Sequence, residues 1–163
     1  MTNRIWIGLG AGLAGGLIAS VAMTPVPMAA AKIDGSDPPQ GEDATVKTAT
    51  VKTASAISEG LSRHKLTDYQ KQMAGPLVHF GFGAKIGALY GAMAEVYPAV
   101  TAGFGVPFGA AVWLGAHVIM VPALGLSKPA TQSPVSQEAT ELAAHLVYGA
   151  VTEFCRRLIR QRI

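Results

Sequence analysis

Two stretches of this chain, residues 5–31 and 96–127, contain no aspartate, glutamate, lysine or arginine. Each exceeds the roughly 20 residues that an apolar helix needs to cross a bilayer, and the core helix of a soluble domain seldom needs so long a run. Of the 163 residues, 50% are hydrophobic and 14% charged, against about a quarter charged in soluble domains. The class implied is an all-α integral membrane protein forming one membrane domain over residues 1–163. The bilayer is its first partner.

Breaker residues divide the chain into a four-transmembrane-helix bundle. A first helix over 5–24 is stopped by Pro25 and Pro27, since proline lacks a donor and disfavours helix at the residue before it. A second runs from about Pro76 to Tyr97, where Pro98 ends it, and a third from about Phe104 to Leu124. The fourth covers 137–159. The short uncharged link between the second and third helices demands an antiparallel hairpin. The N-terminal segment also carries the marks of an export signal, with Arg4, an apolar run and a small-residue site at Ala29-Ala30-Ala31. Gly8, Gly12 and Gly16, spaced by four, favour a retained helix packed closely in lipid.

Residues 32–75 are polar, with six basic and six acidic residues, Pro38-Pro39 and a tandem repeat TVKTA-TVKTA over 45–54. They read as a long extramembrane loop between helices one and two. Val46, Thr50, Ala54, Ile57 and Leu61 keep a helical period that fits a short surface helix ended by Gly60, and the repeat fits flexible low-complexity chain equally well. Thr67 with Gln70 fits a capping box for a further short turn before Gly75-Pro76. Four spans place both termini on one side. Arg4 and Arg156, Arg157, Arg160 and Arg162 make that side cytoplasmic under the positive-inside rule.

Ionisable groups inside the apolar spans carry the functional information, because burying them in lipid is costly and calls for partners. In the second helix His79, Gly83, Gly87, Gly91 and Glu95 recur every four residues, a stripe that drifts only about 40° per step. His79 and Glu95 should therefore face protein. Lys85 lies near the middle of the span, too deep to reach either surface easily, and calls for an anionic partner or a water-filled cavity. A rise of about 1.5 Å per residue puts His79, His117, Glu141 and His145 within roughly 10 Å of the first-loop end, with Glu138 farther out. At the other end Glu95, Glu153, Arg156 and Arg157 form an ion-pair layer, Glu153 being one turn from both arginines.

Each of these features also has a plainer reading. Glycine stripes serve packing, arginines at a helix end anchor it in the interface, and a histidine in an apolar helix is often a hydrogen-bonded core residue. Three histidines and a carboxylate at one depth still make a candidate proton-relay site of His79, Lys85, His117, Glu141 and His145, since histidine titrates near neutrality. The alternatives are metal or haem binding by His79, His117, Glu141 and His145, or an accessory role in which the glycine faces dock a second copy or another membrane protein. The sequence names no cofactor. Cys155 is the single cysteine, which leaves no intrachain disulfide or cysteine metal motif. The basic residues mark a helix end rather than a groove reader, so no nucleic-acid partner is implied. No nucleophile motif, phosphate loop or zincin signature points to an enzyme.

From His79 to Arg162 the chain resembles the YagU-like bacterial inner-membrane proteins, a family of unknown function. The resemblance rests on His79, Tyr90, Ala94-Glu95-Val96-Tyr97-Pro98, His117 followed by Pro122 and Leu124-Gly125-Leu126, then Glu141, His145-Leu146-Val147, and Glu153 with Arg156-Arg157. It covers about half the chain. After the first helix the pattern departs, with Thr24-Pro25-Val26-Pro27-Met28 where that family has an acidic, tryptophan-containing stretch. The resemblance implies a multi-span inner-membrane protein and brings no activity, substrate or cofactor with it.

Overall fold

The computed structural model describes residues 2–35, 44–63 and 65–162. Among the described residues every element is helical and no strand occurs. The helices are α1 (Thr2–Met23), α2 (Val26–Asp34), α3 (Ala44–Ser62), α4 (Asp68–Val96), α5 (Val106–Val112), α6 (Val121–Ala123) and α7 (Val135–Arg160). A 3-10 turn, Pro98–Gly105, links α4 to α5, a π-helical segment, Trp113–Met120, joins α5 to α6, and a 3-10 turn, Ala130–Gln132, precedes α7. Pro38-Pro39 lies outside the described residues.

Among the described residues two segments are long and apolar enough to cross a membrane, Thr2–Ile33 with 32 residues and Pro98–Ala123 with 26. The second is mostly exposed in the isolated chain: Val106, Leu114, Ile119 and Met120 all present apolar surface, the kind that lipid covers. At 29 and 26 residues, α4 and α7 are long enough but carry the polar groups that bind the bundle together.

α1 and α4 run antiparallel with their backbones in contact. Arg4 faces Glu95, Gly8 faces Gly91, Gly12 faces Gly87, Gly16 faces Gly83 and Ser20 faces His79, each step advancing four residues on one helix and retreating four on the other. The two glycine stripes thus pack on one another. A methyl added at Gly12 would collide with the Gly87 carbonyl oxygen, and one at Gly87 would lie 2.6 Å from the Gly16 Cα. Such proximity gives association its van der Waals contact where lipid supplies no hydrophobic drive. A second seam joins α5 to α7, where methyls at Gly109 and Gly149 would strike the carbonyls of His145 and Gly105.

Several boundaries differ from those read in the sequence. The capping box at Thr67 and Gln70, with Gln70 Oε1 accepting from the Thr67 N–H at 2.8 Å, does not close a separate turn. It starts α4 itself, which continues through Pro76. One lost backbone bond at a proline is tolerable in a helix held by neighbours on its glycine face. The third helix begins at Val106 rather than Phe104, because Ala102, Gly103 and Phe104 have non-helical dihedrals. Pro25 does end α1, yet Pro27 opens the new helix α2, where its missing N–H costs nothing. Within the expected loop 32–75 the described residues are largely helix. α3 packs on α4, with Gly75 so placed that a methyl there would lie 3.2 Å from Thr50 Oγ1 and 3.3 Å from Val51 Cγ2.

Gly87→Val should destabilise the bundle by about 3 kcal/mol or more, because two backbones must separate. Gly10→Ala, on an open face, should change stability by less than about 1 kcal/mol. Thermal unfolding in detergent micelles compares them, and equal losses would refute the backbone seam.

Candidate functional site

The helical ladder ends in two chemically different clusters. At the end bearing the N-terminus of α1 and the C-terminus of α7, two carboxylates are enclosed by arginines. The Glu153 side chain is 0% exposed. It accepts from Tyr90 Oη at 2.9 Å, from Arg156 through Nε at 2.7 Å and Nη2 at 2.9 Å, and from Arg157 Nε at 2.5 Å. The Glu95 side chain, 4% exposed, accepts two bonds from Arg160, at 2.7 and 2.9 Å. Arg156 Nη1 and Arg4 Nε stand 3.7 and 3.8 Å from Glu95. Arg156 thus bridges both carboxylates, and bidentate geometry of this kind gives the strongest protein ion pairs.

Backbone strain accompanies this cluster. Phe104 has φ 56, in the left-handed region, between Gly103 and Gly105 at φ 64 and 78. That conformation costs a non-glycine residue about 1–2 kcal/mol. The Arg157 guanidinium lies 4.8 Å from the Phe104 ring centroid, a contact that offsets a comparable amount. Tyr90 is held by stacking on Phe108, ring centroids 4.2 Å apart.

At the opposite end the chain lines a half-open cavity of about 200 Å³. Its lining brings together His79 from α4, His117 from the π segment, and Glu141, His145 and Tyr148 from α7. Ser20 of α1 and Ala49, Thr50 and Thr53 of α3 complete the wall. The His117 and His145 ring centroids are 6.0 Å apart. His145 Nδ1 lies 2.8 Å from the Glu141 carbonyl oxygen. An oxygen can only accept, so Nδ1 carries the hydrogen and Nε2 of the neutral ring is an acceptor. His79 Nε2 lies 3.4 Å from the Ser20 carbonyl, and Tyr148 Oη donates to the Gly83 carbonyl at 2.6 Å. Behind His117, its Nε2 stands 3.4 Å from Glu138 Oε2. Glu138 Oε2 and Trp113 Nε1 are buried without a hydrogen-bond partner among the described residues.

Lys85 does not join this group. It is exposed on the outer side of α4 and is absent from the cavity lining. The glycine stripe faces α1, and Lys85 lies about 200° around the helix from Gly83, which turns it outward. The metal reading of His79, His117, Glu141 and His145 gains no support from their placement. Among the described residues no three His, Cys, Asp or Glu side chains are grouped so as to hold one ion; the imidazoles are spread over a chamber wall.

Comparison with known proteins bears on this arrangement. A family model described as a protein of unknown function, DUF1440, matches residues 24–154. The chain belongs to the DUF1440 family. The inner membrane protein YagU of Escherichia coli strain K12 is 32% identical over 87 residues, covering 53% of this chain and 43% of that protein. The chain therefore matches less than half the length of that relative. No solved structure matches. The DUF1440 match includes every cavity-lining residue except Ser20 and Met23, while Arg4, Arg156, Arg157 and Arg160 fall outside it.

Sequence reasoning omitted Tyr90, Tyr148, Arg160 and the π segment from the two sites and left Glu138 at the margin. Tyr90 and Tyr148 follow no local pattern that separates them from core aromatics. Arg160 bonds a carboxylate 65 residues away. A π segment has no composition signal, although such segments often accompany functional positions; here it carries His117 into the cavity wall.

Replacing Glu153 by Gln should cost about 3 kcal/mol or more, since it leaves buried guanidinium charge uncompensated. Tyr90→Phe removes one of four bonds to that carboxylate and should cost only about 1–2 kcal/mol. Unfolding midpoints of the two variants, measured side by side, check the order; a costlier Tyr90→Phe would refute the assignment of the arginines as the main partners.

Proposed function

We propose that this protein is a small multi-pass component of the bacterial inner membrane whose histidine chamber takes up and relays protons in response to pH. The observation that carries the reading is the convergence of His79, His117, His145 and Glu141 on one cavity. Imidazole is the side chain whose charge changes near neutral pH, and intramembrane His and Glu groups are characteristic of proton pathways. The relative from Escherichia coli is described as an inner membrane protein, which supports the location.

In this reading α1, α4, the segment 98–123 and α7 are four spans. The contacts of Arg4 and Arg160 with Glu95 favour both termini on one side, and the density of arginine there favours the cytoplasm. The chamber, walled in part by α3, then lies toward the far side, where external pH acts. The arginine cluster anchors the cytoplasmic end.

The decisive experiment is proton uptake by the full-length protein in liposomes after an acid pulse, followed with an internal pH dye. His79→Ala, His117→Ala and His145→Ala together should abolish the protein-dependent signal, and an unchanged signal would remove the idea. Topology is checked separately. Reporters fused after Ile163 should be active only as cytoplasmic markers, and reporters within 36–43 only as periplasmic ones.

A further inference from the structure

We infer that the arginine end of the bundle holds an anionic phospholipid, its phosphodiester on the guanidinium groups of Arg157 and Arg4 and an acyl chain along the outer face of α7. The inference is independent of the chamber and of proton relay. It needs only that this end of the protein meets the bilayer surface.

The charges at this end do not balance. Among the described residues Arg4, Arg156, Arg157 and Arg160 face two carboxylates, Glu95 and Glu153, which leaves two positive charges in excess. The inner arginines do most of the neutralising: Arg156 and Arg160 each give two nitrogens to one carboxylate. With Tyr90 and the Nε of Arg157 added, every oxygen of Glu95 and Glu153 has a partner. The surplus therefore sits on the two outer side chains. Arg4 is 73% exposed and stands 3.8 Å from Glu95; Arg157 is 45% exposed and donates to Glu153 through Nε. A guanidinium carries five N–H donors, so the terminal nitrogens of Arg157 are left for an acceptor from outside the bundle. The group is nonetheless fixed, since the Glu153 bond and the Phe104 ring, 4.8 Å away, hold it from two sides. A planar guanidinium so held suits the paired oxygens of a phosphodiester.

The surroundings of these groups point to a lipid as the source of the anion. Trp6, two residues from Arg4, and Tyr97, two residues from Glu95, are each 64% exposed, and exposed Trp and Tyr at one end of a membrane bundle mark the depth of the headgroups. Phe154 and Leu158 are also exposed. They stand three residues before and one after Arg157, so helical spacing puts Phe154 on the same face of α7 as both. Because α7 ends at the arginine cluster, Phe154 lies about 4.5 Å deeper than Arg157 along the helix. A phosphate on Arg157 thus has apolar surface below it for its chain, which a free inorganic anion would not use. Basic groups where spans meet the membrane surface suit anionic headgroups for this reason. A lipid held by both arginines also ties α1 to α7, so its binding stabilises the folded bundle.

Native mass spectrometry of the full-length protein, released from nonionic detergent micelles, tests this. The probes are phosphatidylglycerol and phosphatidylcholine of identical chains, whose phosphodiesters differ in the choline cation that neutralises one of them. We expect one phosphatidylglycerol per chain, bound roughly tenfold tighter than phosphatidylcholine at low salt. That preference should shrink as ammonium acetate rises from about 50 to about 500 mM. Phosphatidylglycerol should also raise the thermal unfolding midpoint in micelles, and inorganic phosphate should not. Arg4→Gln together with Arg157→Gln should bring the two lipids to equal affinity, while Lys128→Gln, at an exposed lysine ahead of α7, should leave the preference in place. Arg4→Gln alone should lose about threefold and serves if the double variant fails to fold. Equal affinity for the two lipids in the unaltered protein overturns the inference, as does a preference that survives the double substitution in folded protein. Stabilisation by inorganic phosphate equal to that by phosphatidylglycerol puts a free anion in place of the lipid and overturns it as well.

Discussion

Backbone contact between α1 and α4 is the constraint on which the remaining structure depends. Glycine at every fourth position of both helices lets carbonyl oxygens approach the opposite Cα atoms, closer than any side-chain-mediated helix pair allows. The seam fixes rotation and register together, because a shift of one residue on either helix would bring a side chain into a space that holds only hydrogen. Once the register is set, the ends follow. The same step of four that aligns Gly12 with Gly87 delivers Arg4 to Glu95 and Ser20 to His79. One packing solution thus positions both polar clusters.

The two clusters differ in how completely their charges are neutralised. Around Glu95 and Glu153 every carboxylate oxygen has a guanidinium or phenol partner, which resembles a fastening more than a reactive site. In the chamber, donors are turned onto backbone carbonyls and acceptor atoms remain in the wall. A membrane protein that needed only stability would have little reason to group three imidazoles and a carboxylate around an open volume, given what such groups cost in lipid. The contrast is between carboxylates fully neutralised at one end and acceptor atoms left in a cavity wall at the other.

Much of this was legible before any coordinates. The glycine spacing in both helices announced close packing, and rise per residue was enough to sort His79, His117, Glu141 and His145 from Glu95, Glu153 and the arginines. Direction was harder than depth. Depth alone groups Lys85 with the histidines, whereas its angle from the glycine stripe points it outward. The pairing of one glycine stripe with the other, and the bond from Arg160 to Glu95, depend on which helices become neighbours, and no local pattern encodes that. The polar repeat of residues 45–54 looked like a connector because its composition is that of a surface, yet Ala49, Thr50 and Thr53 use the small faces of that repeat to close the chamber.

The contact between Gly109 and the carbonyl of His145 also bears on the entropy of binding. What α5 clamps is the main chain of the histidine, and its ring is further tethered by the Nδ1 bond to the Glu141 carbonyl. Little rotameric freedom is left to lose when something is bound there, whereas an ordinary mobile side chain forfeits about 0.5–1.5 kcal/mol on being immobilised. The cost of order at this histidine is met during folding, so a contact made to its ring carries little further entropic penalty.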